Sequence, residues 1–314
     1  MSEQTPNGWE RKLLETLATD ALKEQRRRRR WGIFFKFVGV AYFGVFVWAI
    51  WSGRNPDGAI DGSAHTAVIE VQGIIATNAS ASAERINTAL RQAFKNRGVK
   101  GVILKINSPG GSPVQAGQIY DEIKRLKATN SEIPVYAVVE ELCASGGYYV
   151  AAAADRIYVD KASLVGSIGV IMDGFGFTGT MEKLGVERRA LTSGDNKAFL
   201  DPFQPVVPGQ VEFAKTMLAD IHAQFIDAVR KGRGKRLHET PEIFSGLIWT
   251  GSKSIELGLA DATGSVRSVA RDVIKAETLR DYTERESPFE RIARRLGGAA
   301  ASAFFDQLAE TRYR

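Results

Sequence analysis

The sequence predicts an α/β domain with largely parallel strands, preceded by one transmembrane helix. Two observations carry this expectation. Apolar β-rich runs alternate with helix-patterned stretches over the middle two thirds of the chain, the pattern of strands buried on both faces of a sheet. Ahead of them, Trp31 to Trp51 reads WGIFFKFVGVAYFGVFVWAIW, about 21 residues that at roughly 1.5 Å each span a hydrocarbon core.

The first segment, residues 1–30, is basic and has Trp9, Leu13, Leu14, Leu17, Ala21 and Leu22 at helical spacing, which suggests a short amphipathic helix on the cytoplasmic surface. The chain carries a formal net charge of +6, and residues 1–36 alone hold nine Lys/Arg against five Asp/Glu. The basic excess therefore flanks a membrane segment and gives no reason to expect nucleic acid as a partner. In the span at 31–51, Lys36 lies near the arginine end and can snorkel, and Trp31, Trp48 and Trp51 fit interfacial belts. Arg26 to Arg30 precede the span and only Arg54 follows closely, so the positive-inside rule puts the N-terminus in the cytoplasm. The apolar core is longer than that of a cleavable signal peptide and no small-x-small site follows, so the helix is expected to stay as a signal anchor.

Residues 52–65 are rich in Gly, Asp and Pro and read as a linker. The folded domain is expected over 66–280. Its strands are TAVIEV from Thr66, GVILKI from Gly101, PVYAVVE from Pro134, RIYVD from Arg156 and GSIGVI from Gly166, with helices over 80–97 and 113–128. From Pro208 to Lys231 a long helix carries Phe213, Met217, Ile221, Phe225 and Val229 at intervals of four. Residues 281–314 are charged and then Ala-rich, and read as an appended tail. The basic cluster Arg230, Lys231, Arg233, Lys235 and Arg236 reads as a solvated helix end.

Two glycine-rich turns end apolar strands: Asn107-Ser108-Pro109-Gly110-Gly111 and Ala144-Ser145-Gly146-Gly147. In parallel α/β folds, sites lie outside the carboxyl ends of strands, so these turns should meet near one crevice. Ser145 would sit at a strand-to-helix junction beside free backbone N–H groups, as an acyl-transfer nucleophile requires. A donor from the Gly110-Gly111 turn would complete an oxyanion hole worth roughly 3 to 4 kcal/mol of barrier. On spacing alone, a helix N-cap serine and two structural turns are the better reading.

A serine nucleophile needs a base. None of the three histidines, His65, His222 and His238, stands beside a glycine-rich turn. A lysine base must lose about three pKa units, roughly 4 kcal/mol, and so needs an apolar site. Lys197 is followed by Phe199, Leu200 and Phe203, a candidate desolvating wall, although a solvated surface lysine also fits. Cys143, the single cysteine, excludes an internal disulfide and reads as a small packed residue at a strand end. Tyr148 and Tyr149 read as the start of a core helix. No cofactor or metal is required.

In combination and order, N-S-P-G-G from Asn107, A-S-G-G-Y-Y from Ala144, G-S-I-G-V from Gly166, S-G-D-N-K-A from Ser193 and W-T-G-S-K-S-I-E-L-G-L-A-D from Trp249 resemble the signal peptide peptidase A family. The resemblance covers about residues 66 to 275, with Asp195 standing where a basic residue is common. It implies a Clp protease/crotonase-like fold of repeated ββα units. It also implies Ser145 as nucleophile, Lys197 as general base, the N–H groups of Gly111 and Gly146 as oxyanion hole, and Ser167 as the hydroxyl that orients the lysine.

The chain resembles the half-length form of that family. This form implies a homo-oligomeric ring, octameric in known cases, in which the serine of one protomer meets the lysine of the next. Hydrophobic peptides, remnant signal peptides among them, are the implied substrates, cut at the inner membrane of a bacterium by a domain on its periplasmic or extracytoplasmic side. The rivals are a membrane-protein quality-control peptidase with longer substrates, an acyl-CoA hydratase or isomerase on the same fold, and a non-catalytic peptide-binding scaffold. The acyl-CoA enzyme would need neither Ser145 nor a partnered lysine.

Overall fold

The structure, a computed structural model, describes residues 8–52 and 62–285. The chain forms two compact units, Met1–Ile60 and Asp61–Arg314. Residues 53–61 of the expected linker and residues 286–314 of the expected tail lie outside the described residues.

In the first unit, α1 (Gly8–Ser52) is a single α-helix of 45 residues. A separate surface helix ahead of the span was expected, but the helix runs unbroken through Arg26 to Arg30 into the apolar stretch. The reason is compositional: the residues before Trp31 are mostly Leu, Ala, Glu, Lys and Arg, all strong helix formers, with no proline to interrupt them. The stretch Lys23–Trp48 is long enough to cross a membrane and contains an 18-residue window of mean hydropathy 1.6. At its basic end Trp31 packs on Phe34 and Phe35 with ring centroids 5.7 and 5.6 Å apart.

The second unit alternates strand and helix: β1 (His65–Gln72), α2 (Ala83–Lys95), β2 (Val99–Ser108), α3 (Pro113–Thr129), β3 (Val135–Ala144), α4 (Gly146–Ala151), β4 (Arg156–Val159) and β5 (Leu164–Gly166). Then come α5 (Thr178–Leu184), α6 (Pro208–Arg233), β6 (Ile248–Thr250), α7 (Gly251–Glu256), β7 (Ala262–Thr263) and β8 (Leu279–Asp281). The helix starts follow local chemistry. Ser112 caps α3 by accepting the Gln115 N–H at 3.3 Å, and Pro113 occupies the first helical position, where a missing N–H costs nothing.

The sheet forks at β3. Its main ladder runs β8-β1-β2-β3-β4-β7, all parallel. A second, shorter ladder begins where β3 slips register after Val139: Leu142–Ala144 pairs with β5, and β5 pairs antiparallel with β6. The isolated parallel bridge between Ile75 and Gly111 has the same relation to β1 and β2. Within the second unit β1, β2 and β3 are thus each followed by a short second stretch and a helix, the repeated ββα arrangement of the Clp protease/crotonase-like fold.

The core lies between the sheet and helices α2, α3, α4 and α6. Ile69, Leu104, Ile106, Ile119, Ile123 and Val229 are fully buried there, each contributing about 1.5 to 3 kcal/mol by leaving water. A smaller cluster of Ile103, Val138, Tyr158, Val269 and Ala270 covers part of the opposite face.

Three expectations need correction. GSIGVI is not a strand: β5 ends at Gly166, because Ser167 takes φ 50 and turns its N–H to the Leu247 carbonyl at 2.7 Å. The α6 stripe is buried at Phe225 and Val229, whereas Phe213 is exposed because α6 begins beyond the edge of the core. The basic helix end is not solvated throughout. Arg233 is 1% exposed and pairs with Asp261 at 2.8 Å, and Arg236 reaches the other oxygen of Asp261 at 3.0 Å. The carboxylate that closes the W-T-G-S…A-D motif therefore draws the helix end inward.

Candidate active site

The first glycine turn is built from β2. Ser108, fully buried, donates its hydroxyl to the Gly73 carbonyl at 2.6 Å and accepts the Gly110 N–H at 3.1 Å. Gly110 and Gly111 have φ of 95 and 145. A Cβ on Gly111 would lie 2.2 Å from the Ile75 carbonyl oxygen, so only glycine fits. The bridge to Ile75 uses the Gly110 carbonyl and the Ser112 N–H, both at 2.8 Å. The intervening N–H of Gly111 has no backbone acceptor among the described residues.

The second turn is built from β3. Ser145 follows the strand with φ 52 and ψ −124, and α4 starts at the next residue. A non-glycine residue held there stores about 1 to 3 kcal/mol of strain, which the surroundings must impose. They do so from both sides: the Ser145 N–H donates to the Gly166 carbonyl at 2.9 Å and its carbonyl accepts the Tyr149 N–H at 3.0 Å. The Ser145 hydroxyl makes no capping bond, and the N–H of Gly146, at the helix start, has no intrahelical acceptor.

The two turns meet. A Cβ on Gly110 would come within 2.6 Å of the Gly146 nitrogen and 2.8 Å of Ser145 Cβ, and one on Gly146 within 3.3 Å of the Gly111 nitrogen. Ser145 and the free N–H groups of Gly111 and Gly146 are thereby gathered at the carboxyl ends of β2 and β3. Ser167 is close by, because the carbonyl that accepts from Ser145 belongs to the residue before it.

Lys197 is not brought to Ser145 within the chain. It lies in the outward stretch 170–207, exposed, and its ammonium has no hydrogen-bond or ion-pair partner among the described residues. The phenylalanines expected to wall it in pack elsewhere, Phe199 on Phe213 at 5.8 Å and Phe203 on Phe177 at 5.3 Å. Phe199 and Phe203 line one surface hollow with Lys197, but the lysine stays exposed in it.

The remaining candidates have structural partners. His65 bonds Ser63 and Tyr282, His238 bonds the Glu256 carbonyl, and His222 bonds the Ile168 carbonyl at 3.0 Å. The last contact escaped sequence reasoning, because residues 168 and 222 lie on separate elements. Cys143 is buried, and burial pushes its thiol well above the ordinary range, which leaves it unreactive. Tyr148 is buried with its hydroxyl on the Leu259 carbonyl at 2.8 Å, and Tyr149 stacks on Phe225 at 4.9 Å. Both are core residues. No cluster of metal-ligating side chains occurs among the described residues.

Fold and turns together define an α/β protein with a strained serine at a strand-to-helix junction, facing two unoccupied glycine N–H groups. The profile of peptidase family S49 matches residues 127–280. Over 209 residues the chain is 43% identical to a Brucella abortus protein named Na(+)/H(+) antiporter NhaA, a match that covers 65% of this chain and 28% of that one. It is 31% identical to the putative signal peptide peptidase SppA of Enterococcus faecium, over 68% of this chain and 64% of the relative. It is 32% identical to the putative protease slr0021 of Synechocystis, over 63% of this chain and 69% of the relative. The chain belongs to peptidase family S49. It spans little more than a quarter of the Brucella relative and just under two thirds of the Enterococcus one.

Proposed function

We propose that this chain is a membrane-anchored serine endopeptidase that cuts hydrophobic peptides, remnant signal peptides among them, beside the lipid surface. The observation that carries the reading is the convergence of Ser145 with the free N–H groups of Gly111 and Gly146. Family membership and a helix able to cross a membrane support it.

In this mechanism Ser145 Oγ attacks the scissile carbonyl carbon and its proton passes to the neutral amine of Lys197. The negative oxygen accepts from the N–H groups of Gly111 and Gly146. Collapse breaks the C–N bond, and the lysine returns the proton to the leaving amine. Water, deprotonated by the same lysine, then hydrolyses the acyl ester and restores Ser145. The Ser167 hydroxyl orients the lysine.

Lys197 stands exposed and without a hydrogen-bond or ion-pair partner among the described residues. A neighbouring protomer supplies the missing enclosure in this reading, so that Lys197 of one chain meets Ser145 of the next in a homo-oligomeric ring, taken as an octamer. The arginine run keeps the N-terminus in the cytoplasm, and the catalytic domain lies on the periplasmic or extracytoplasmic side of the inner membrane.

The test is hydrolysis of a fluorogenic hydrophobic peptide by the full chain in detergent, comparing wild type, Ser145→Ala, Lys197→Ala and an equimolar mixture of the two variants. Each variant alone should fall to background. Partial recovery in the mixture after subunit exchange establishes the shared site, and wild-type rates in either single variant would rule out the dyad.

A further inference from the structure

We infer that His222 is a positioning residue, which fixes Ser167 by holding the carbonyl of the following residue. The inference rests on the reading of Ser167 and Lys197 given above. Three successive residues are anchored from three different elements. The Gly166 carbonyl accepts from Ser145 at 2.9 Å, the Ser167 N–H donates to Leu247 at 2.7 Å, and the Ile168 carbonyl faces His222 Nε2 at 3.0 Å. A carbonyl can only accept, so Nε2 carries the proton and the imidazole is the donor.

The need for a third anchor follows from the backbone. Ser167 has φ 50, a left-handed conformation that a non-glycine residue leaves unless the chain is held on both sides of it. Ser145 and Leu247 hold the peptide before it, whereas on the other side the carbonyl of Ile168, one peptide further on, is the last anchored group before the chain enters the exposed stretch from Ile171 onward. The Ile168 side chain is fully buried, so the residue has little freedom except rotation of its carbonyl, and that is the group His222 binds.

The donor stands on a rigid support. His222 lies within α6, and the turns that follow it are pinned by buried Phe225, Val229 and Arg233. On the same face Leu218 and Ile221 are half-buried and apolar. None of the residues around position 222 on this face could replace its donor.

The experiment measures kcat and KM for a hydrophobic fluorogenic peptide with the full chain in detergent. It compares wild type, Ser145→Ala, Ser167→Ala, His222→Ala, His222→Gln and the double variant His222→Ala/Ser167→Ala. We expect His222→Ala to lower kcat about tenfold, the size of one lost hydrogen bond, with KM nearly unchanged. His222→Gln, whose amide N–H can reach the same carbonyl, should recover most of that loss. The double variant should be no slower than Ser167→Ala alone.

Wild-type kcat in His222→Ala, no recovery in His222→Gln, or an undiminished further loss on top of Ser167→Ala would each overturn the inference. In all three cases Ser145→Ala remains inactive and the peptidase reading stands. Wild-type turnover by Ser145→Ala would overturn both, so the two failures are distinguishable.

Discussion

The amide of Ser145 donates to the carbonyl of Gly166 at 2.9 Å, and this bond ties the end of β3 to the end of β5. Both following conformations are unusual: Ser145 and Ser167, one on each side of the bond, have φ of 52 and 50. The hydrogen bond thus ties two serines in left-handed conformations to one backbone frame.

Gly110 controls the contact between the two glycine turns. An added methyl would lie 2.6 Å from the Gly146 nitrogen and 2.8 Å from Ser145 Cβ, at a φ of 95 that alanine avoids. Gly110→Ala should destabilise the fold by about 1 to 3 kcal/mol and reduce peptide turnover at least a hundredfold by moving a donor off the oxyanion position. Urea unfolding and kcat measured on one preparation check both effects. Full activity would mean that the turns can separate without consequence.

Arg233 joins α6 to the closing motif. Its Nη1 meets Asp261 at 2.8 Å and its Nε donates to the Gly258 carbonyl at 2.8 Å. Burial pushes the Asp261 carboxyl upward, but Arg233, the Ile157 N–H and Arg236 together outweigh it and hold the group below its ordinary range. Arg233→Ala leaves that carboxylate with only Arg236 and the Ile157 N–H as partners and an empty space where the buried guanidinium stood, and should cost about 3 to 5 kcal/mol. The shift in the urea midpoint measures the loss, and a change below 1 kcal/mol would contradict the assignment.

Glu122 links α2 to α3. Arg125 binds it through two bonds of 2.6 and 2.8 Å, and Arg91 adds one of 2.7 Å. The Arg125 bond is the main reason its pKa falls from 4.5 to about 2, against the opposing effect of burial. A depressed folded pKa adds stability in full above the unfolded value, and loses it as pH falls through the folded one. Glu122→Gln should therefore cost about 1 kcal/mol at neutral pH after screening at the half-exposed arginines. That difference from wild type should shrink as pH drops from 4.5 towards about 2. Urea titrations at several pH values provide the check, and a pH-independent difference would be the contrary result.

The positions of the two glycine turns were legible because each follows an apolar run of strand length, and parallel topology sends such ends to one edge. Helix α3 was legible from its helix patterning over 113–128; the cap by Ser112 and the proline at its first position are seen only in the structure. Contacts between distant elements were not. Nothing local to Ile168 announces His222, and nothing near Arg233 announces Asp261. The GSIGVI run looked like a strand because its residues favour one, yet the tertiary bond from Ser167 to Leu247 outweighs that propensity. Lys197 was expected to be desolvated by Phe199 and Phe203, but an aromatic side chain packs on the ring nearest in space, and here those rings are Phe213 and Phe177.

The fork at β3 has a consequence for how such a chain can diversify. Both ladders are complete by Gly166 except for the strands that close them from later sequence, and residues 170–207 hang outside all strand pairing, with no buried residue in α5. Insertions or deletions there would shift no register and disturb neither serine, provided that Lys197 is kept. The strand frame that carries the two serines and the rim that carries Lys197 are thus separately heritable, and the rim can vary around that one lysine while the frame stays fixed.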